Sequence, residues 1–125
     1  MEMYGETGIL FSQFTDGGGA SGTYTCQFTL PVDFFISQIA VVNVTGFTGD
    51  VSATLTVGDG SDVDRLNTGT PSVFTTIAGL DMGIPSGVQS IVTAFRPVLT
   101  VTTNADFTSV TAGQLDIKVY GWMID

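Results

Sequence analysis

The 125-residue chain has no histidine, one cysteine and three basic side chains, Arg65, Arg96 and Lys118. Without histidine it lacks the side chain that most readily moves protons near neutral pH and most often ligates transition metals. Its single cysteine, Cys26, cannot close an internal disulfide, so stability must come from packing, helped by subunit association, and a cytoplasmic origin fits. Cys26 also lies inside an apolar strand pattern with no base beside it in sequence, which argues against a thiolate nucleophile. Three cations against twelve acidic residues leave a formal charge of -9. That charge repels phosphate backbones and anionic lipid, so neither nucleic acid nor a membrane is an expected partner. No stretch approaches the roughly 20 apolar residues of a membrane helix. The opening MEMYGETGIL has neither a basic n-region nor an apolar h-region, so no secretion signal is read. Asn43-Val44-Thr45 matches the glycosylation pattern but falls in an apolar strand of a chain without that signal, and carries no weight.

What the chain does hold is β-forming. Hydrophobic residues make up 43% and charged residues 12%, enough to pack a core in one domain. Nineteen threonines and fourteen valines, broken at short intervals by sixteen glycines, favour strands joined by turns. Thr23 to Leu30 alternates, with Tyr24, Cys26, Phe28 and Leu30 on one face. Phe34 to Thr45 is almost continuously apolar, as expected of a strand covered on both sides. A turn over Thr45 to Asp50 leads into Val51, Ala53, Leu55 and Val57, and the two runs read as a hairpin. A long polar connection, Gly58 to Pro71, precedes short strands near Val73 to Ile77 and Ser90 to Phe95. Pro97 to Thr103 and Gln114 to Tyr120 resume the alternation. About eight strands with uneven connections predict an all-β fold, a two-sheet β-sandwich of jelly-roll type, with an immunoglobulin-like sandwich as the alternative. Residues 1–22 are set apart as an N-terminal arm or first strand with a glycine-rich hinge, and residues 23–125 as a single β-sandwich domain.

Three places are candidates for function. VGDGSDVDR, Val57 to Arg65, gathers Asp59, Asp62 and Asp64, oxygen donors suited to calcium. It fails as an EF-hand, because counting from Asp62 puts Leu66 at position five, Asn67 where glycine is needed and Val73 where glutamate is needed. The plain reading is an exposed turn in which glycines permit positive φ and an aspartate pairs with Arg65. Near the end of the chain, Trp122 alternates onto the face of Asp116, Lys118 and Tyr120, where it can meet a sugar or a protein neighbour. At the start, Ile9, Leu10, Phe11 and Phe14 precede the flexible run Asp16 to Gly22. Such a segment can pair with its own sheet or add a strand to a neighbouring subunit. Nothing in this inventory equips the chain for catalysis, and no cofactor is called for.

The stretch DFFISQIAVVNVTGFTGDVSATLTVGDGSDVDR and the closing TAGQLDIKVYGWMID resemble small virion structural proteins of tailed bacteriophages. In those proteins a strand pair leads into an acidic loop, here Val57-Gly58-Asp59-Gly60. A final strand opened by a glycine, here Ala112-Gly113-Gln114-Leu115, closes a sandwich. The resemblance implies a non-enzymatic capsid decoration protein made in the host bacterial cytoplasm. It would be carried on the virion surface as a homotrimer, with the major capsid protein and its own copies as partners. Ile9 to Phe14 would then grip the shell, and stabilisation would follow from binding the assembled shell in preference to loose subunits. The other readings are a carbohydrate-binding or fibre-tip module using Tyr120 and Trp122, and a tail or neck component.

Overall fold

The computed structural model describes residues 1–124. Eight strands form two antiparallel four-stranded sheets. They are β1 (Glu2–Leu10), β2 (Thr15–Asp16), β3 (Ser21–Thr25), β4 (Phe34–Thr48), β5 (Ala53–Gly58), β6 (Ile77–Asp81), β7 (Val98–Thr103) and β8 (Ala112–Met123). The first sheet runs β1-β8-β4-β6 and the second β2-β3-β7-β5. Along the outer edge of β5 an isolated bridge joins Thr54 to Ser72, adding a rudimentary fifth strand there. β2 and β3 are neighbours in the second sheet, and from β3 onward consecutive strands alternate between sheets, an order that is that of a jelly roll and not of an immunoglobulin-like sandwich.

The core follows the two-residue period of the strands. Leu115, Ile117 and Val119 on β8 meet Phe34, Ile36, Ile39 and Val41 on β4 along the inner side of the first sheet. Leu55 and Val57 on β5 and Leu99 and Val101 on β7 close the core from the second sheet. Two positions show how closely β8 and β4 pack within the first sheet. Gly121 has no room for a Cβ, which would run into the Phe35 carbonyl and the Phe34 ring. Gly113 adopts φ +147° with the Phe47 ring directly against its Cα, a backbone region that favours glycine.

Four expectations about the strands are corrected. β4 and β5 are not a hairpin: β4 pairs with β8 and β6, and β5 with β7. The turn between them is tied instead to the β7–β8 connection, where Asp50 Oδ2 accepts from the amides of Ala105 and Asp106. Thr45 to Thr48 is not a turn, since β4 continues through it with register shifts that let Phe47 reach the core. The strand placed at Val73 to Ile77 lies at Ile77–Asp81, with Gly79 inside it opposite Val42. Ser90 to Phe95 forms no strand, only isolated bridges from Ser90 to Phe35 and from Phe95 to Leu30.

The N-terminal segment pairs with its own sheet, β1 lying beside β8 from Glu2↔Gly121 to Leu10↔Gln114. It also ties the two sheets together, because Glu6 accepts from the Tyr24 hydroxyl and from the Gln27 amide. Nearby, Cys26 is wholly buried. Burial, and then the Glu6 charge, push its thiol up to about 12. The native protein is therefore expected to leave Cys26 unlabelled by a thiol reagent at pH 8, with full labelling only after unfolding in denaturant. Rapid labelling of the folded protein would contradict this burial.

Candidate functional site

The outer side of the first sheet carries the exposed aromatic surface. Strand alternation turns Leu115, Ile117 and Val119 inward, so Gln114, Asp116, Lys118, Tyr120 and Trp122 point outward along β8. Register sets their neighbours. Trp122 faces Phe35, Tyr120 faces Gln38 on one side and Met3 on the other, and Lys118 faces Ala40, which in turn faces Asp81. The rings of Trp122 and Phe35 are stacked, with centroids 5.0 Å apart and planes 24° apart. Trp122 nevertheless keeps 43% of its surface exposed. Phe35 thus backs the indole and holds it in place while one side stays open to a ligand. Farther along, Asp116 is fixed by the Gly8 amide and by Asn43 Nδ2, each at 2.8 Å. The result is an aromatic platform at one end, small Ala40 and Gly79 on the floor, and amide, ammonium and carboxylate groups alongside.

The Gly58 to Arg65 loop is arranged differently. Asp59 Oδ1 accepts from the amides of Ser61 and Asp62, at 2.9 and 2.8 Å, and Asp62 Oδ1 accepts from the Asp64 amide. These bonds turn the Asp59 and Asp62 carboxylates onto nearby loop amides. Among the described residues no three His, Cys, Asp or Glu side chains converge as metal ligands would. Arg65 lies 3.8 Å from Asp59 Oδ2 and places its guanidinium 4.7 Å above the Phe95 ring, a cation–π contact. An open cleft of about 350 Å³ lies between this loop and Val92 to Phe95. Because Arg65 already covers Phe95, the cleft offers no free aromatic face.

Titration of the loop has a definite sign. Backbone donation from Asp62, followed by Ser61 and the Arg65 charge, holds the Asp59 carboxyl below its usual range. Asp64 goes the other way, raised by its hydrogen bond with Asp62 and then by that residue's charge. A depressed native pKa means Asp59 stabilises the loop above its unfolded value and loses this as pH falls through the native one. Carboxyl titration by NMR should therefore place Asp59 below Asp64. Asp59→Asn should in turn flatten the acid-induced loss of loop order.

The other sequence candidates separate into two groups. Ile9 and Phe14 are 1% and 7% exposed and belong to the core, Phe14 packing against Tyr24, Phe47 and Phe107. Their expected role as surface contacts is corrected, since pairing β1 with β8 draws them inward. Leu10 is exposed and Phe11 half-buried against the core. Tyr120 and Trp122 do share the outer face. Phe35, Gln38 and Asp81 complete that face and were missed, because their positions opposite β8 depend on strand pairing. The one available signal was Phe35 itself, an aromatic between two core positions.

These features define an antiparallel jelly-roll sandwich with an aromatic and polar outer sheet face. No protein-family model and no curated protein sequence matches the chain. Among solved structures it is similar to CBM86, described as a low affinity xylan binding module from the xylanolytic gut symbiont Roseburia intestinalis. The match has a TM-score of 0.54 at 12% identity and covers 98% of this chain and 97% of that one. The likeness is one of fold.

Proposed function

We propose that this protein is a non-catalytic carbohydrate-binding module that holds a neutral glycan chain on the outer face of the β1-β8-β4-β6 sheet. The observation that carries the reading is the half-exposed Trp122 indole backed by Phe35. A pyranose ring presents a flat array of C–H groups that packs on such a π-face, and few other soluble ligands need an aromatic platform on an open sheet. Gln38, Tyr120, Lys118 and Asp81 then supply the donors and acceptors that sugar hydroxyls require. Strong net negative charge favours an uncharged chain over an acidic one. The xylan-binding description of the structural neighbour makes xylan the first ligand to try. Titration calorimetry against soluble xylan, with a broader glycan array beside it, tests the reading. Saturable binding to a neutral polysaccharide is expected, and absence of binding to every neutral glycan would remove it.

The shell-decorating reading took its gripping element from Ile9 to Phe14. With Ile9 and Phe14 in the core, that element is not free, and support lies with the sugar-binding face.

A further inference from the structure

The cleft beside Arg65 lies where one end of the sandwich passes from sheet to sheet. β5 ends at Gly58 beside Val98, so the Gly58 to Arg65 loop leaves from the second sheet. The opposite wall comes from the first sheet. Ser90 bridges to Phe35 and Ile91 donates to the Phe34 carbonyl, after which Phe95 bridges to Leu30 and the Pro97 carbonyl accepts from Cys26 on the way into β7. Val92, Thr93 and Ala94 therefore span the gap between the sheets, all three exposed, and the cleft of about 350 Å³ separates them from the loop. Phe35 pairs with Trp122 on one side and bridges to Ser90 on the other. Ser90 is thus two strand spacings, about 10 Å, from the strand that carries the indole.

Arg65 holds hydrogen-bonding capacity that the fold leaves unused. Its side chain is 18% exposed and that of Asp59 24%, and the guanidinium sits between the Phe95 ring and Asp59 Oδ2. At 3.8 Å the approach to Asp59 is an ion pair, too long for a hydrogen bond. It is the one polar contact of this guanidinium among the described residues, whereas Arg96 Nε donates to the Cys26 carbonyl at 2.6 Å. Asp59 is pinned through Oδ1 by the Ser61 and Asp62 amides, which leaves Oδ2 for the cleft. Among the described residues the shielded polar atoms without a partner are the Thr56 and Thr100 hydroxyls. The unbonded Arg65 nitrogens and Asp59 Oδ2 are not among them, so both groups are open to solvent in the cleft.

Charge selects the ligand. Asp59, Asp62 and Asp64 against Arg65 leave the loop net negative, which repels an anion, while Arg65 itself repels a metal ion or an amine from the Asp59 carboxylate. A neutral hydroxyl accepts from the guanidinium and donates to the carboxylate, filling a gap across which the two cannot bond directly. Both groups are held in place beforehand, so little side-chain freedom is lost on binding. Val92, 80% exposed, adds an apolar wall for C–H groups. We propose that Arg65 and Asp59, with Ser61 and Thr93 beside them, form a second site for a neutral sugar, separate from the Trp122 face. Its ligand class rests on the glycan-binding reading, and a chain long enough to touch both sites gains avidity from the pair.

The test titrates the isotope-labelled full chain with a soluble xylo-oligosaccharide by NMR. The Trp122 indole N–H reports on the face, and the Arg65 Nε–H with the Ser61, Thr93 and Ala94 amides on the cleft. Both sets should move and saturate, and Trp122→Ala should leave the cleft set moving. Arg65→Met keeps an apolar stem against Phe95 and removes the donors. It should weaken cleft binding about tenfold or more while the indole responds as in wild type. Arg65→Lys keeps the charge without the planar fork and should recover only part of the loss. If Arg65→Met disturbs the loop, Arg65→Lys carries the same comparison with the ion pair retained. An indole response with a silent cleft overturns the second site and leaves the aromatic face intact. A cleft response with a silent indole removes the aromatic face and keeps the second site. Silence at both, against every neutral glycan, removes both. Cleft shifts that vanish in Trp122→Ala, that neither Arg65 variant weakens, or that acetate produces and the sugar does not, also overturn the proposal.

Discussion

Trp122→Ala is expected to weaken binding to xylan by at least about tenfold, or roughly 1.4 kcal/mol, while leaving the fold in place. The indole is the largest open π-face on the outer sheet, and truncating a central aromatic typically removes a disproportionate share of binding energy. Its contribution to stability is smaller, because 43% of its surface is exposed and what it covers is mainly Phe35. The melting temperature should therefore move by only a few degrees. Calorimetry and thermal unfolding on the same sample separate the two effects. Retained affinity would move the ligand elsewhere, and a collapse in stability would mean that the indole is a packing group. Trp122→Phe should fall between the two, since it keeps a π-face and loses area.

Phe47→Ala carries the largest expected cost to the fold. Phe47 is 1% exposed, meets Phe14 edge-to-face at 5.7 Å and lies against Gly113, whose missing Cβ makes room for the ring. Removing a buried phenyl costs about 3–5 kcal/mol, because the cavity left behind closes only partly. A domain of this size has on the order of 5–15 kcal/mol in total. Urea denaturation should show the midpoint falling sharply, with a drop in melting temperature on the order of 15 °C. A loss under about 1 kcal/mol would mean that Gly113 and Phe14 collapse into the space and that this corner of the core is loosely packed.

Phe47 also shows where reading the sequence stops. It sits in Thr45-Gly46-Phe47-Thr48-Gly49-Asp50, where glycine spacing predicts a turn, yet β4 runs on to Thr48. Gly46 there serves close packing, because a Cβ would strike the Phe74 carbonyl. A glycine that opens a turn and one that admits a neighbouring backbone look the same in sequence. The supposed β4–β5 hairpin misled for a related reason. Two adjacent apolar runs with a short link fit either a hairpin or a crossing between sheets, and only the β8 and β7 partners decide which.

Composition and periodicity determined a good deal. Threonine, valine and glycine at close spacing dictated an all-β chain, and alternation in β8 put Trp122 and Tyr120 on the face opposite Leu115, Ile117 and Val119. Both are local properties, fixed by backbone propensity and by the two-residue repeat of a strand. The absence of histidine and the scarcity of cations narrowed the chemistry before any fold was known. Tertiary structure alone decided which strands became neighbours. It drew Ile9 and Phe14 into the core, set Phe35 behind Trp122, and lined up Thr15, Thr23, Thr100 and Thr56. Each of these joins residues far apart in sequence, and their meeting depends on how two sheets bury their apolar faces together, a condition that no short stretch of the chain encodes.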